Sequence, residues 1–448
     1  MWAVCKKELR QSFSNLTGYI AIIVFLLMNG LLLFVFPDTD ILAFGYASLE
    51  KFFDLAPWIL LLLIPAITMR SLAEEFRMGT FEILQTVPLS RAQLVMGKYL
   101  ASLIVVIIAL APTLLYFLTI QRLSGQAGID VGATMGSYLG LIFLSAVFTS
   151  IGILCSSWTS NAVVAFIAAA FACFILYSGF NAISQLPVFA AGADYYIEMF
   201  GIDFHYRSIS RGVVDSRDII YFISIIFLFL RWTGWNLARK LRGPKNRMGK
   251  TGETGTGTSR RAGSRKMRPD WLGAGGIVVV LVILNLLAGH FHYRLDLTQE
   301  KRYTLSAPTK EMLRNLDDNI EVEFFLQGDL KAGIRKLSKS TQELLQEFNE
   351  YADGKIRVKV IDPLANLDDS AKMAMLDSLG RMGIQPKTQV AQAKKGEEQS
   401  QRIVLPGALL HYKNKVVPVD LLKGVQAGGE GQPEEQLYTN AETLLEYK

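Results

Sequence analysis

Seven apolar segments dominate this chain, six of them before residue 240 and the seventh after a polar, glycine-rich stretch. Lipid offers no hydrogen-bond partners to a bare backbone, so a single crossing takes a helix of about 20 apolar residues. The segments run Tyr19 to Phe36, Leu55 to Met69, Tyr99 to Ile120, Met135 to Cys155, Ala162 to Phe180, Ile219 to Trp235 and Leu272 to Gly289. The second is short and contains Pro65. The first reads as a retained helix, since it lacks a convincing small-residue cleavage site and further spans come at once. The expected fold is a membrane all-α bundle of six helices, a seventh membrane helix, and a separate α/β domain. Charged residues are only 19% of the 448, below the roughly 25% of soluble chains.

Charge asymmetry orients the spans. Lys6, Lys7 and Arg10 precede the first, Arg70, Arg77, Arg91 and Lys98 lie between the second and third, and Arg231 near the end of the sixth is followed by eleven cations from Arg239 to Arg268. The first two alternate loops are poorer in cations: Pro37 to Asp54 has Lys51 alone and Gln121 to Thr134 has Arg122 alone. The positive-inside rule then places the N-terminus in the cytoplasm. Six crossings return the chain there, and the seventh carries the remaining residues to the outer side. The net charge of +6 is read as this orienting signal. Nucleic acid is not expected as a partner, since no basic stripe carries interleaved aromatics. Cys5, Cys155 and Cys173 all fall in the membrane half, so disulfides do not hold the region after residue 290.

Four parts are expected: a six-span domain over 1–240, a flexible basic linker over 241–270, a seventh helix over 271–290, and an extracytoplasmic α/β domain over 291–448. Gly136 and Gly140, with Ala165, Ala168, Ala169 and Ala172, allow close helix approach, within one subunit or across a dimer seam. The stretch Asn181 to Asp218 reads as short helices at the outer interface or as packed loop. In the last part, Ile320, Val322, Phe324 and Leu326 alternate with polar neighbours as in a strand. Residues from Ile334 to Phe348 recur at helical spacing, and Ile356, Val358 and Val360 form a second strand. A helix from about Asp368 to Leu379 is expected to end at Gly380. A β-rich tail from Arg402 to Leu422 turns at Lys413-Asn414-Lys415. That order is compatible with a thioredoxin-like domain. The chain stops at Glu442 to Lys448 in what reads as the start of a helix, as if the domain were truncated.

Catalytic and metal signals are not found. Gly243 to Thr251 mimics a phosphate loop, but five residues separate its glycines instead of four and no strand precedes them. His205, His290, His292 and His411 lack metal-ligand spacing. The apolar windows contain no Asp, Glu or Lys, which argues against an ion-coupled carrier. The informative segment is the loop after the second span. Glu74, Glu75 and Arg77 end a helix, Gly79 and Thr80 turn, and Phe81, Leu84 and Val87 line one side of a short helix that also carries Glu82. Pro88 breaks that helix before Arg91. An amphipathic helix so bracketed either docks into a partner's groove or lies on lipid.

This loop resembles the coupling segment of type-2 ABC transporter permeases. Together with the segment His205 to Asp215, the six-span part looks like the gliding-motility permease, GldF. Arg294-Leu-Asp296-Leu-Thr298, Arg302 to Ser306 and Ile361-Asp362-Pro363 look like the start of its auxiliary extracytoplasmic partner, GldG. The resemblance implies a fusion of the two, multi-pass in a bacterial cytoplasmic membrane, in which the chain has no catalytic site of its own. It implies a separate ABC ATP-binding subunit that holds ATP and Mg and docks on Glu74 to Arg91. It also implies pairing with a second copy or a second permease. The alternative is a mechanical assembly that transports nothing.

Overall fold

A computed structural model of the chain describes residues 1–14, 16–36, 41, 47–81, 88, 90–124, 128–186, 194–241, 276, 279–285, 287–288, 293–299, 301, 303–327, 332–365, 367–390, 401–413 and 415–422. They fall into two compact units, the first comprising 1–43, 47–190 and 197–301, the second chiefly 302–448.

The first unit is helical. Helix α1 (Trp2–Ser14) precedes α2 (Leu16–Phe34) and α3 (Glu50–Thr68), and the short α4 (Ala73–Met78) comes next. Helix α5 (Arg91–Leu110) continues through one 3₁₀ turn into α6 (Leu114–Leu123). Then come α7 (Val131–Trp158) and α8 (Ala162–Phe174), a π-turn at Ile175–Gly179, and α9 (Phe180–Ser184). The end of the short helix α10 (Asp194–Glu198), from residue 197 on, helix α11 (Ile202–Ser210), strand β1 (Val213–Asp215) and the long α12 (Ser216–Leu241) complete the unit. Among the described residues, five helices are long and apolar enough to cross a membrane, or six if α1 and α2 count as one bent span. The seventh apolar segment is described only at residues 276, 279–285 and 287–288, all helical. The linker over 241–270 lies outside the described residues after Leu241.

Helix α7 is the axis of the unit: α3, α5, α8, α11 and α12 all pack on it. Small residues make that possible. A Cβ at Gly152 would overlap the Thr68 hydroxyl of α3, and one at Gly136 would sit 2.7 Å from the Gly212 Cα. Gly136 and Gly140 therefore face α11 and the turn after it within one chain. Pro57 and Pro65 both lie inside α3, which continues past them. The stretch after the fifth span does fold into short helices. The apolar windows understate the helices: Lys98, the Asp54 side chain and Asp218 all belong to the spans, near their ends. Strand β2 (Arg294–Asp296) pairs antiparallel with β1, Val213 opposite Asp296.

The second unit has α13 (Ala307–Arg314), β3 (Ile320–Phe324), α14 (Ala332–Tyr351), β4 (Ile356–Val360), α15 (Asp369–Met382) and strands β5 to β8 (Lys387–Val390, Gln401–Val404, Gly407–Tyr412, Lys415–Asp420). Its main sheet runs β4-β3-β7-β8, with β3 and β4 parallel and the remaining pairs antiparallel. Val322 and Phe324 bury with Leu337, Leu344 and Phe348 of α14, while Phe325 packs with Leu379 of α15. Tyr412 opposite Lys415 closes the hairpin that the sequence predicts. Helix α15 does not stop at Gly380. It runs to Met382 and ends on Gly383, whose φ of 101° supplies the left-handed cap that Gly380 does not adopt.

The α3–α7 crossing generates a test. Gly152→Val would force a branched side chain against Thr68, costing about 1–3 kcal/mol as over-packing does. The purified chain should melt at a lower temperature in detergent, and an unchanged midpoint would contradict this contact.

Candidate functional site

The turn between α3 and α5 is built by three elements that converge on it. Ser156 of α7 accepts hydrogen bonds from Leu72 N and Ala73 N at 3.0 Å each and donates to Met69 O at 3.0 Å. One buried hydroxyl thus satisfies the backbone groups freed where α3 ends. Helix α4 then lasts six residues and stops at Gly79, whose φ of 70° terminates it. Ser90 and Gln93 form a reciprocal capping box that starts α5.

A buried lysine locks the turn from beneath. Lys98 on α5 is 1% exposed. Its Nζ donates to Glu75 Oε1 at 2.8 Å, Glu8 Oε1 at 2.9 Å and the Ser71 carbonyl at 2.7 Å. An ammonium group has three N–H donors, and all three are used. Lys7 adds a longer contact to Glu75 at 3.8 Å. α1, α4 and α5 are thereby joined through one charge.

The sequence-predicted residues separate under this geometry. Glu75 faces inward to Lys98 and is buried. Phe81 also turns inward, in edge-to-face contact with Phe76 at 4.9 Å, and packs with Val4, Leu94, Val95 and Leu237. Lys240 lies 3.7 Å over the Phe76 ring. Glu74 and Thr80 are half-buried, while Arg77, Gly79, Pro88 and Arg91 are exposed. Arg77 reaches Glu74 at 3.4 Å on the surface. Glu82, Leu84 and Val87, and with them the expected short amphipathic helix, lie outside the described residues.

Two features went unread in the sequence. The N-terminal cations sit on a helix, α1, that packs along α5. Its signal was present: Val4 and Glu8, four residues apart, share the buried face. At the opposite end of the unit, His205 Nδ1 lies 2.6 Å from Asp218 Oδ1 and its Nε2 3.0 Å from the Met199 carbonyl. The ring stacks on Tyr221 at 3.8 Å. The pair joins α11 to the start of α12, and spacing alone does not reveal a contact between residues 13 apart.

Removing one partner of a buried ion pair costs about 3–5 kcal/mol, because the other charge is left stranded. Lys98→Met strands Glu75 and should destabilise the purified chain by that order. Lys98→Met combined with Glu75→Gln and Glu8→Gln should recover part of the loss. Additive single and multiple effects in thermal unfolding would show that the three groups do not interact.

Residues 2–198, less than half of the chain, match the model of the ABC-2 family transporter protein family. Residues 299–411 match a domain of unknown function, DUF7088. No curated protein matches the chain. The N-terminal part, with its apolar helices of membrane-crossing length, is thus similar to the membrane domain of ABC-2 transporters, a component that crosses the bilayer and works with an ATP-binding subunit.

Proposed function

We propose that the chain is the permease subunit of an ABC transporter complex, which couples ATP hydrolysis by a separate subunit to export across the bacterial cytoplasmic membrane. The observation that carries this reading is the rigid turn from Met69 to Phe81. Ser156 pins it to α7, and Lys98 pins it to α1 and α5. A surface so braced moves only with the helices beneath it, which suits an element meant to transmit a push. The outward groups of the turn, Glu74, Arg77, Gly79 and Thr80, are the docking surface, with Arg91 beside them at the start of α5. Glu75 holds that surface in place from inside. ATP and Mg belong to the partner's site, and a second copy or a second permease completes the pathway.

The expected topology is supported by end points. Helix α12 has 26 residues, about 39 Å at 1.5 Å per residue. Leu241 ends it, yet Arg294 pairs beside the residues that precede its start. A seventh crossing between them, with a cytoplasmic linker, accounts for that return. The second unit is then extracytoplasmic. Its order of parallel β3 and β4 with an antiparallel hairpin on the other edge supports a thioredoxin-like reading. A GldF-like permease joined to a GldG-like partner is the finer form of this proposal.

The surface pair gives a clean test, since exposed ion pairs contribute little to stability. Glu74→Lys with Arg77→Glu should leave yield and melting unchanged. Affinity capture of the tagged full-length chain from native membranes should recover the ATP-binding subunit with the wild type, and about tenfold less with the double variant, equivalent to 1.4 kcal/mol of lost affinity. Equal recovery with both would overturn the docking assignment. Substrate-stimulated ATP turnover in vesicles separates transport from a purely mechanical role.

A further inference from the structure

We infer that the first unit holds a binding site for an ammonium group, in a cavity at the end of the bundle opposite the braced turn. The cavity has a volume of about 360 Å³ and lies among α3, the π-turn with α9, and α11. Pockets of about 300–1,000 Å³ suit small ligands.

Its chemistry selects a cation. Asp54, Asp203 and Arg207 line it, two carboxylates against one guanidinium. That guanidinium is already engaged, at 2.7 Å from Asp203 and 2.6 Å from Glu198. An anionic ligand would therefore meet excess negative charge and an arginine held by others. Trp58 and Tyr177 form an aromatic wall, edge-to-face at 5.5 Å between centroids. Carboxylates beside aromatic faces are the surroundings that hold organic ammonium ions, each cation–π contact adding about 0.5–2 kcal/mol.

Asp203 is also held in the cavity wall by Asn181, whose Nδ2 donates to it at 3.2 Å while its Oδ1 accepts from Gln185 at 2.7 Å. The cavity wall includes Asp54 and Trp58 in the first three turns of one span and Tyr177 to Ala182 in the last turns of another, near the depth at which headgroups lie. The ammonium group therefore belongs either to a soluble amine or to an aminolipid headgroup. Binding at this site does not rest on the transport reading.

The test is a fluorescence titration of the purified full-length chain with benzyltrimethylammonium chloride, against sodium chloride at equal ionic strength. The chain has six tryptophans, so Trp58→Phe isolates the signal of Trp58. Saturable quenching that Trp58→Phe abolishes is expected, with a midpoint raised at least about tenfold by Asp54→Asn. Asp54 is exposed, so that variant leaves the fold intact. In nanodiscs of equal phosphatidylglycerol content, a higher midpoint when the remaining lipid is phosphatidylethanolamine than when it is an uncharged galactolipid assigns the site to lipid headgroups, and equal midpoints assign it to soluble amines. Absence of saturable quenching in every medium, or quenching that both variants retain, overturns the proposal. Capture of the ATP-binding subunit is read separately, so either idea can fail alone.

Discussion

A positive charge buried beneath the α3–α5 turn is the constraint on which the first unit depends. Taking an ammonium ion out of water costs several kcal/mol unless every donor is matched. Lys98 meets that condition with acceptors from three different elements. No one of those elements can shift without opening a gap around the charge. The polar N-terminal helix, which has little apolar surface of its own, is thereby bound into the fold. Hydrophobic burial brings the helices together, and the ammonium group decides their register at this end.

The opposite end obeys the same logic with different chemistry. His205 and Asp218 bridge α11 and α12, and Arg207 bridges α11 to α10. Between the ends, α7 is almost wholly buried and joined to its neighbours by small residues and hydroxyls rather than charges. Ser137, for example, donates to the Ser210 carbonyl at 2.5 Å. Charged side chains are thus gathered toward the two ends of the bundle, while buried polar groups between them, such as Asn29 and Thr149, hydrogen-bond to carbonyls of their own helices.

Much of this was legible in the sequence. Apolar length located the long helices because lipid-facing and core-facing positions are both apolar, so composition alone marks them. Gly79 was readable as a stop because a left-handed residue ends a helix. Strand alternation at Ile320 to Leu326 found β3, although it assigned Phe325 to a polar face that α15 in fact covers. Lys98 was not legible. One residue before an apolar window, it reads like any other loop cation, and only the fold brings Glu8 and Glu75, 90 and 23 residues away, to its tip. The Gly380 error has the same origin: a glycine can end a helix without having to, and the neighbouring Gly383 does so.

The π-turn at Ile175–Gly179 carries a last consequence. Such a turn accommodates one residue more than regular α-helix does, and each residue rotates a helix by about 100°. Phe171 and Phe174 before it point outward, while Tyr177 just within it is buried. Loss of a single codon there would restore an unbroken helix and swivel everything downstream by that angle. Asn181 would leave the cavity wall although no side chain had been replaced, so in related chains a one-residue gap at this position would mark a change of contents more surely than any substitution nearby.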